Sequence, residues 1–424
     1  MVRLSGTDAL SVAGRVVAGI ASFPDRVAIL APFRNADGTP LDEGLVTVFR
    51  FPHSYTGEDL VEFSCHGGLL APTQLLAALH AAGARPATPG EFTKRALLNG
   101  KLDLLQAEAI GDLIDATAPA QGRAALHQLE GGLSRRLLAL REALLELLAL
   151  LAYDIDFPEE DDGPVPLERI RQRLEAARAN VANLLATAPA GLRLREGALV
   201  VLAGRPNAGK SSLFNALLGI ERSLVTELPG TTRDTVEAAS VVAGWPVRLA
   251  DTAGLREADE RLERMGIEVS RRYVASADLL LLCVEAGRLP TPEERELLAA
   301  RPSLLVRSKA DLVPIAERES EEGIPVSTVT GEGLDRVRRA LAEALFGWRG
   351  SQGDLEPMLT RERHQVALAR AAEALAAAEP ELGQDAVLAA HQVRSAVAAL
   401  EEVVGLVHPD EVLGRVFERF CVGK

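Results

Sequence analysis

The chain has 424 residues, of which 47% are hydrophobic and 25% are charged, and its formal net charge is −14. This length exceeds one ordinary core, so roughly two to four domains are expected. The acidic balance argues against a protein that holds nucleic acid by a basic field over its whole surface, while a local basic patch or a basic partner protein stays open.

Three sequence features bear on the cellular compartment. No apolar run is long enough to cross a membrane, and the first residues lack the pattern of a signal peptide. The three cysteines, Cys65, Cys283 and Cys421, cannot form a disulfide framework. A cytoplasmic protein with no membrane partner is therefore expected.

Residues 1–118 have the pattern of a mixed α/β domain. Apolar alternation predicts a strand over residues 44–51, and helical periodicity predicts helices over residues 69–82 and 97–117.

Dense polar residues occupy two segments of this domain, residues 52–68 and 88–103. Such density between apolar runs predicts a small-molecule pocket, and ordinary turns between capped helices explain it equally well.

Helical periodicity continues through residues 119–196, with long helices predicted over residues 126–153 and 167–188. A second helical region covers residues 348–424. The simplest architecture pairs these two regions in one helical domain, with the α/β domain of residues 197–347 inserted between them, because the pairing buries the apolar faces of both.

The inserted α/β domain alternates strands and helices in the manner of a doubly wound parallel sheet. Its residues 204–211, Gly-Arg-Pro-Asn-Ala-Gly-Lys-Ser, match the phosphate-loop pattern G-x-x-x-x-G-K-S. A buried strand is predicted over residues 198–203 before the loop and a helix over residues 211–218 after it. Lys210 would offset phosphate charge, and Ser211 would bind Mg²⁺.

Two further segments supply the magnesium and γ-phosphate groups that a GTPase needs. Residues 230–234, Gly-Thr-Thr-Arg-Asp, offer Thr232 as a ligand of Mg²⁺. Residues 251–254, Asp-Thr-Ala-Gly, follow a predicted strand. Asp251 can hold Mg²⁺ through water there, and the Gly254 N–H can meet the γ-phosphate.

Guanine recognition is assigned to residues 308–311, Ser-Lys-Ala-Asp, and to the loop over residues 327–333. The usual form is N-K-x-D, whose Asp accepts hydrogen bonds from N1–H and the 2-amino group of guanine. Ser308 departs from the Asn and is expected to be too short for the Asn's contacts to the base and the phosphate loop. Guanine preference should then survive with an affinity lower by about 1 kcal/mol.

These motifs together define the candidate nucleotide-binding residues, which are Asn207, Ala208, Gly209, Lys210, Ser211, Ser212, Thr226, Thr231, Asp251, Thr252, Ala253, Ser308, Lys309, Asp311, Ser327, Thr328 and Val329.

The catalytic group is less evident, because Leu255 occupies the position where many GTPases carry a water-orienting Gln. Asn207 could offer its side-chain carbonyl to a monovalent cation, with loop carbonyls of residues 226–231 completing the shell. A hydrogen bond that stabilises the loop is the other explanation of Asn207.

Over nearly its full length the chain resembles the MnmE (TrmE) family of tRNA-modification GTPases. The resemblance rests on the phosphate loop, on residues 230–234 and on residues 251–256. Family-like segments also occur elsewhere in the chain, at residues 54–62, 65–68, 89–92, 99–104, 156–160 and 420–424.

The resemblance implies an enzyme that adds a carboxymethylaminomethyl or aminomethyl group to C5 of the wobble uridine of certain tRNAs, together with a flavin-dependent partner of the MnmG (GidA) type. It implies a multidomain α/β plus all-α fold, with an N-terminal folate-binding-like domain that forms a homodimer, a helical domain and an inserted Ras-like GTPase domain. Formyl-tetrahydrofolate would be bound by Arg3, Glu62, Lys101 and Lys424.

The same resemblance implies a potassium ion between the facing GTPase domains of a dimer, where it would supply positive charge. Its ligands would be Asn207, Thr226, Leu228 and Thr231.

Glu263 falls at the family's catalytic acid, which orients water indirectly and would act with Thr232 and Gly254. An ordinary surface position on a helix is the alternative for Glu263. Cys421 lies in the tail motif, where membership of the folate pocket is preferred to a role as nucleophile.

Two further expectations concern the N-terminus and an alternative function. It opens inside the family's first strand, without the glycine-rich lead-in, so weaker folate binding or dimer packing is expected. The alternative function is a ribosome-assembly GTPase switch of the Era or Der kind, which would need an RNA-binding module or a second phosphate loop.

Overall fold

The computed structural model describes residues 1–156, 166–219, 237–251, 273–318, 321–347 and 357–406. The chain forms two compact units. The first comprises Met1–Gly111, Leu129–Leu138 and the chain from Glu401 onward, and the second comprises Asp112–Gln128 and Ala139–Leu400. The domain bounds expected from the sequence stay a prediction.

A four-stranded antiparallel sheet with the order β1-β4-β3-β2 forms the base of the first unit. Its strands are β1 Val2–Ser5, β2 Ala28–Arg34, β3 Pro40–Phe49 and β4 Leu60–Ser64. Side chains alternate across the pleat, so Val46, Val48, Val61 and Phe63 point into the core and are fully buried. The strand expected over residues 44–51 is confirmed as the second half of β3.

Four helices belong to the N-terminal part of the chain: α1 Ala9–Ala13, α2 Leu70–Ala81, α3 Glu91–Leu98 and α4 Leu104–Asp115. The helix expected over residues 69–82 is confirmed as α2. The single helix expected over residues 97–117 is wrong, because Gly100 adopts a φ of 66° and ends the helical path. A new helix then starts at a reciprocal cap in which the Gln106 N–H donates to Asp103 Oδ1 and the Asp103 N–H to Gln106 Oε1.

In the described parts of the helical regions, the structure has six further helices. They are α5 Pro119–Leu129, α6 Gly132–Asp156, α7 Leu167–Leu185, α8 Ala188–Glu196, α13 Glu362–Glu381 and α14 Ala386–Val404. The continuous helix expected over residues 126–153 is wrong at its start, since Gly131 has a φ of 81° and separates α5 from α6.

The two helical regions pack on each other, as the apolar patterns predict. Helix α7 lies along α13, and Arg178 forms an ion pair with Glu379 across their contact. Nearby, the Leu359 N–H donates to Thr187 Oγ1 at 3.1 Å. Segments far apart in sequence therefore share one packed interface in the second unit.

A six-stranded sheet with the order β10-β9-β8-β5-β7-β6 lies at the centre of the second unit. Its strands are β5 Ala198–Ala203, β6 Glu237–Val242, β7 Trp245–Asp251, β8 Leu279–Glu285, β9 Ser303–Ser308 and β10 Ile324–Pro325. All neighbours pair in parallel except β6 and β7, which form an antiparallel hairpin.

Helices cover both faces of this sheet, which confirms the expected doubly wound arrangement. They are α9 Lys210–Leu218, α10 Pro292–Ala300, α11 Ile315–Arg318 and α12 Leu334–Phe346. Val200 packs with residues of α9 and α12 on one face, and Val201 packs with Leu297 of α10 on the other. Every residue of β5 is buried, as a central parallel strand requires.

Among the helices that the structure describes, none combines the length and apolarity that a membrane crossing requires.

Candidate nucleotide-binding site

The phosphate loop connects the end of β5 to the start of α9. Gly204 has a φ of 139°, Asn207 of 60° and Gly209 of 82°. A Cβ atom at Gly204 would overlap with the carbonyl oxygen of Cys283 on β8. The first glycine of the motif is therefore required both by its backbone conformation and by its close approach to the neighbouring strand.

Lys210 lies across this loop, with 6% of its surface exposed. Its Nζ donates to the carbonyl oxygens of Gly204 at 3.0 Å and Arg205 at 2.7 Å. Backbone acceptors on both sides thus keep the ammonium group over the loop, where it can offset the charge of a bound phosphate.

Ser211 in the first turn of α9 and Asp251 at the end of β7 bring two oxygen ligands together. The Ser211 hydroxyl donates to Asp251 Oδ2 at 2.7 Å, and Asp251 is 8% exposed at the end of β7, next to β5. A hydroxyl and a carboxylate are hard oxygen ligands of the kind that Mg²⁺ prefers. These two residues therefore fit the predicted magnesium site, while Thr232, its third expected ligand, lies outside the described residues.

The segment assigned to base recognition lies directly against the phosphate loop. Ser308 ends β9, is 5% exposed, and its Oγ donates to the Ala208 carbonyl oxygen at 2.7 Å. The expectation that Ser308 is too short for the Asn's contact to the phosphate loop is therefore wrong, while the lost contact to the base stays a prediction. The end of β9 lies so close to the loop that a one-carbon side chain spans the gap.

Lys309 and Asp311 follow Ser308 directly after the C-terminal end of β9. Lys309 has a φ of 55°, and its Nζ lies 2.5 Å from Oε1 of Glu285 at the end of β8. The hydrogen bond from Lys309 holds the pKa of the Glu285 carboxyl below its usual value. Asp311 lies in the 3-10 turn Ala310–Leu312 and is exposed, so its carboxylate is accessible to a base.

The second base loop is built on Ser327, which is fully buried. Its Oγ accepts from the Val329 N–H at 3.3 Å and the Thr330 N–H at 3.2 Å. The Ala310 N–H donates to the Val326 carbonyl oxygen at 3.0 Å and joins this loop to the Ser308–Asp311 segment. Val329 is 85% exposed at the tip, beside Thr328.

One contact of the phosphate loop was not predicted from the sequence. Arg205 of the phosphate loop reaches the N-terminus of α10, where its NH2 group lies 3.3 Å from Oε2 of Glu294. Glu294 is 5% exposed and forms a capping box with Thr291. The Thr-x-x-Glu pattern could have located the helix start, but no local pattern indicates its long-range partner.

Several predicted residues lie outside the described parts of the chain. These are Thr226, Leu228, Thr231, Thr232, Thr252, Ala253, Gly254, Glu263, Cys421 and Lys424. Their assigned roles stay predictions. Ser212 is described, and it is exposed on α9 next to Ser211.

The two polar segments of the N-terminal region contact each other in the first unit. Tyr55 OH lies 2.8 Å from Thr93 Oγ1, and Asn99 Nδ2 donates to the Thr56 carbonyl oxygen at 2.7 Å. Arg95 donates to both carboxylate oxygens of Glu58. Polar residues that are far apart in sequence thus form hydrogen bonds with one another between the end of β3 and helix α3.

The predicted folate residues occupy two places in this unit. Arg3 and Glu62 face each other on β1 and β4 and form an ion pair of 2.8 Å. Lys101 Nζ donates to the Pro52 carbonyl oxygen at 3.1 Å.

A cavity of about 780 Å³ opens beside β1. Its walls include Arg3, Leu4, Glu58, Leu79 and Arg95, whereas Glu62 and Lys101 are not among the described residues that line it. The cavity has the size of a cofactor pocket.

The residues that the structure describes thus define a multidomain protein that contains a phosphate-loop nucleotide-binding fold. The family described as MnmE helical domain matches residues 104–421, and the family described as GTP-binding protein TrmE N-terminus matches residues 1–101.

Full-length relatives give the same family. The chain is 45% identical to the tRNA modification GTPase MnmE of Thermus thermophilus and 43% identical to that of Laribacter hongkongensis, in each case over 100% of this chain and 95% of the relative. A solved structure of Aquifex aeolicus Era bound to GDP and AlF4⁻ is 25% identical over 42% of this chain and 66% of that chain, with a TM-score of 0.28, which is too low to bear on the fold. The chain belongs to the MnmE family of tRNA modification GTPases.

Proposed function

We propose that this protein hydrolyses GTP as part of tRNA modification. The observation that carries the proposal is the arrangement around the phosphate loop: Ser211 and Asp251 in contact at 2.7 Å, with Lys210 over the loop. The names of the full-length relatives support the choice of GTP and of tRNA modification.

Each of four described residues has a role in this proposal. Lys210 would neutralise phosphate charge, Ser211 would bind Mg²⁺ with Asp251 holding it through water, and Asp311 would accept hydrogen bonds from guanine. Bound Mg²⁺ would neutralise charge that develops on the β- and γ-phosphates. Thr232, Gly254 and Glu263 keep their predicted roles as the γ-phosphate sensors and the acid that orients water.

Potassium stimulation is the second part of the proposal and rests on Asn207. Its φ of 60° lies in the left-handed region that Asn tolerates, and it is exposed on the phosphate loop. The side-chain carbonyl can thus face a ligand that arrives from solvent. A bound potassium ion would add positive charge beside the phosphates, with Thr226, Leu228 and Thr231 as its further proposed ligands.

The test compares GTP hydrolysis in KCl and in NaCl at equal ionic strength. The unaltered protein should be faster in KCl, and Asn207→Ala should lose that difference. Asn183→Ala, which changes an exposed Asn on α7, is the matched control and should keep it. Equal rates in both salts, or a full potassium response of Asn207→Ala, would contradict the potassium mechanism and leave GTP hydrolysis itself standing.

The modification reaction is proposed to take place in the cytoplasm on the wobble uridine of certain tRNAs, with a flavin-dependent partner of the MnmG type. Nucleoside analysis of tRNA from a deletion strain should show loss of carboxymethylaminomethyl or aminomethyl groups from C5. An unchanged nucleoside profile, with altered ribosome assembly instead, would favour the ribosome-assembly switch.

Formyl-tetrahydrofolate binding and a homodimer complete the proposal. Arg3, Glu62 and Lys101 would hold the folate together with Lys424. The Arg3–Glu62 ion pair offers a cation and an anion side by side, which suits a ligand with both carboxylate groups and an amino-substituted ring. Titration calorimetry should detect binding that Arg3→Ala weakens, and sedimentation should show a dimer.

A further inference from the structure

Ser308 lies between the base loop and the phosphate loop. Its Oγ donates to the Ala208 carbonyl oxygen at 2.7 Å, and both residues are at most 5% exposed. A Cβ atom at Gly209 would lie 3.4 Å from the Cβ of Ser308. The end of β9 and the phosphate loop are thus in direct contact.

The peptide bond that Ser308 contacts is part of the phosphate-binding backbone. The Ala208 carbonyl and the Gly209 N–H belong to one planar trans peptide, so they point in opposite directions. A hydrogen bond that draws the carbonyl towards β9 therefore turns the Gly209 N–H away from β9, to the side where the loop would enclose phosphate.

A serine hydroxyl has a single proton to donate. The Ala208 carbonyl accepts that proton, so the Ser308 side chain has no further proton to donate to a base. The asparagine of the N-K-x-D form has two amide protons and a carbonyl, and can contact loop and base together. In this chain, different residues would contact the phosphate loop and the base.

We infer that Ser308 is a positioning residue that fixes the phosphate loop and does not read the base, which leaves guanine recognition to Asp311 as proposed above. This inference depends on the proposed function, because it takes the site to bind guanine nucleotides. Loss of the Ser308 hydroxyl should weaken binding by the same factor whatever the base. Loss of the Asp311 carboxylate should instead change the preference between bases.

The experiment measures the release of GDP, IDP and 7-deaza-GDP, each labelled on the ribose, from the full chain. Inosine lacks the 2-amino group that Asp311 would accept from, and 7-deazaguanine lacks the N7 acceptor that a donor at residue 308 would reach. Ser308→Ala should release all three nucleotides faster by the same factor, roughly 5- to 10-fold, as expected for one lost hydrogen bond. A smaller factor for 7-deaza-GDP would show that Ser308 contacts the base. Asp311→Asn should reduce the difference between GDP and IDP.

Ser303→Ala is the matched control, because Ser303 lies on the same strand and its Oγ donates to the Leu298 carbonyl oxygen at 3.1 Å, away from the loop. Its release rates should not change. Ser308→Asn keeps a donor at residue 308 and should release GDP no faster than the unaltered protein. Thermal unfolding of each variant shows whether faster release comes from a changed phosphate loop in a folded protein or from loss of folding.

The outcomes distinguish this inference from the proposed function. Normal GDP binding with unchanged release from Ser308→Ala, or faster release of GDP alone, contradicts the role given to Ser308. Absence of GDP binding by the unaltered protein contradicts the proposed function itself.

Discussion

Gly204 shows how a single missing side chain shapes the phosphate loop. Its φ of 139° lies where L-residues are strained, and a Cβ atom would overlap with the Cys283 carbonyl. Gly204→Ala should therefore abolish GDP binding. Gly122→Ala, in α5 with open space around the glycine, should bind normally. Equilibrium binding of labelled GDP measures both, and normal binding by Gly204→Ala would refute the steric argument.

Cys283 and Cys65 differ in reactivity because they differ in burial. Burial raises the pKa of the Cys283 thiol to about 12, so the thiolate is scarce at neutral pH. Cys65 is only partly buried. Iodoacetamide should thus modify Cys65 first in the folded protein and both residues in denaturant, as peptide mass mapping would show. Equal labelling of both in the folded protein would contradict this prediction.

At the scale of elements, helix α3 begins at a charge cluster that makes its stability depend on pH. Hydrogen bonds from Arg85 lower the pKa of Glu91 from 4.5 to about 2, and Glu91 also accepts from the Thr88 N–H at 2.9 Å. A lowered folded-state pKa contributes stability above the unfolded value, and the contribution is lost as pH falls through the folded value.

Glu91→Gln should therefore increase amide exchange in α3 at neutral pH. The difference from the unaltered protein should shrink as the pH falls from 4.5 towards 2. Hydrogen–deuterium exchange with mass spectrometry over this range measures it. If the difference in exchange rate stayed constant with pH, the charge of Glu91 would not be what stabilises α3.

The elements that the sequence predicted well are those with local signals. β5, the phosphate loop and α9 follow from one motif, because the glycines, the buried strand and the helix start are adjacent in sequence. The breaks at Gly100 and Gly131 were missed, since apolar periodicity continues through both and hides a single left-handed residue.

The contact of Ser308 with the phosphate loop was not predicted, for another reason. Its side-chain length is known from the sequence, but the distance from β9 to the phosphate loop is set by how the whole sheet packs. The Arg205–Glu294 contact joins residues 89 positions apart. It was not predicted either, because tertiary packing sets its distance too.

On the scale of the whole molecule, Asp112 joins three distant segments of the second unit. Its Oδ1 accepts from Arg195 Nε at 3.2 Å and from Arg361 NH2 at 2.7 Å. Removing the carboxylate leaves two partly buried guanidinium groups without this acceptor. Asp112→Ala should lower the free energy of unfolding by roughly 2 kcal/mol.

Calorimetry of the full chain measures this loss of stability. Asp115→Ala changes an exposed carboxylate on the same helix and should have little effect. Equal unfolding temperatures for the two variants would show that the Asp112 contacts add no stability.

The turn of the β6–β7 hairpin lies against the rest of the second unit. The Gly244 carbonyl accepts from the Ala120 N–H at 3.1 Å, and the Trp245 ring stacks on Phe346 with centroids 4.5 Å apart. Trp245 begins the strand that ends in Asp251, and the only other tryptophan of the chain is Trp348. Replacing Trp348 with phenylalanine would leave one indole, on the strand that ends in Asp251. Its ultraviolet emission would then report the packing of this turn against Phe346 without an attached dye.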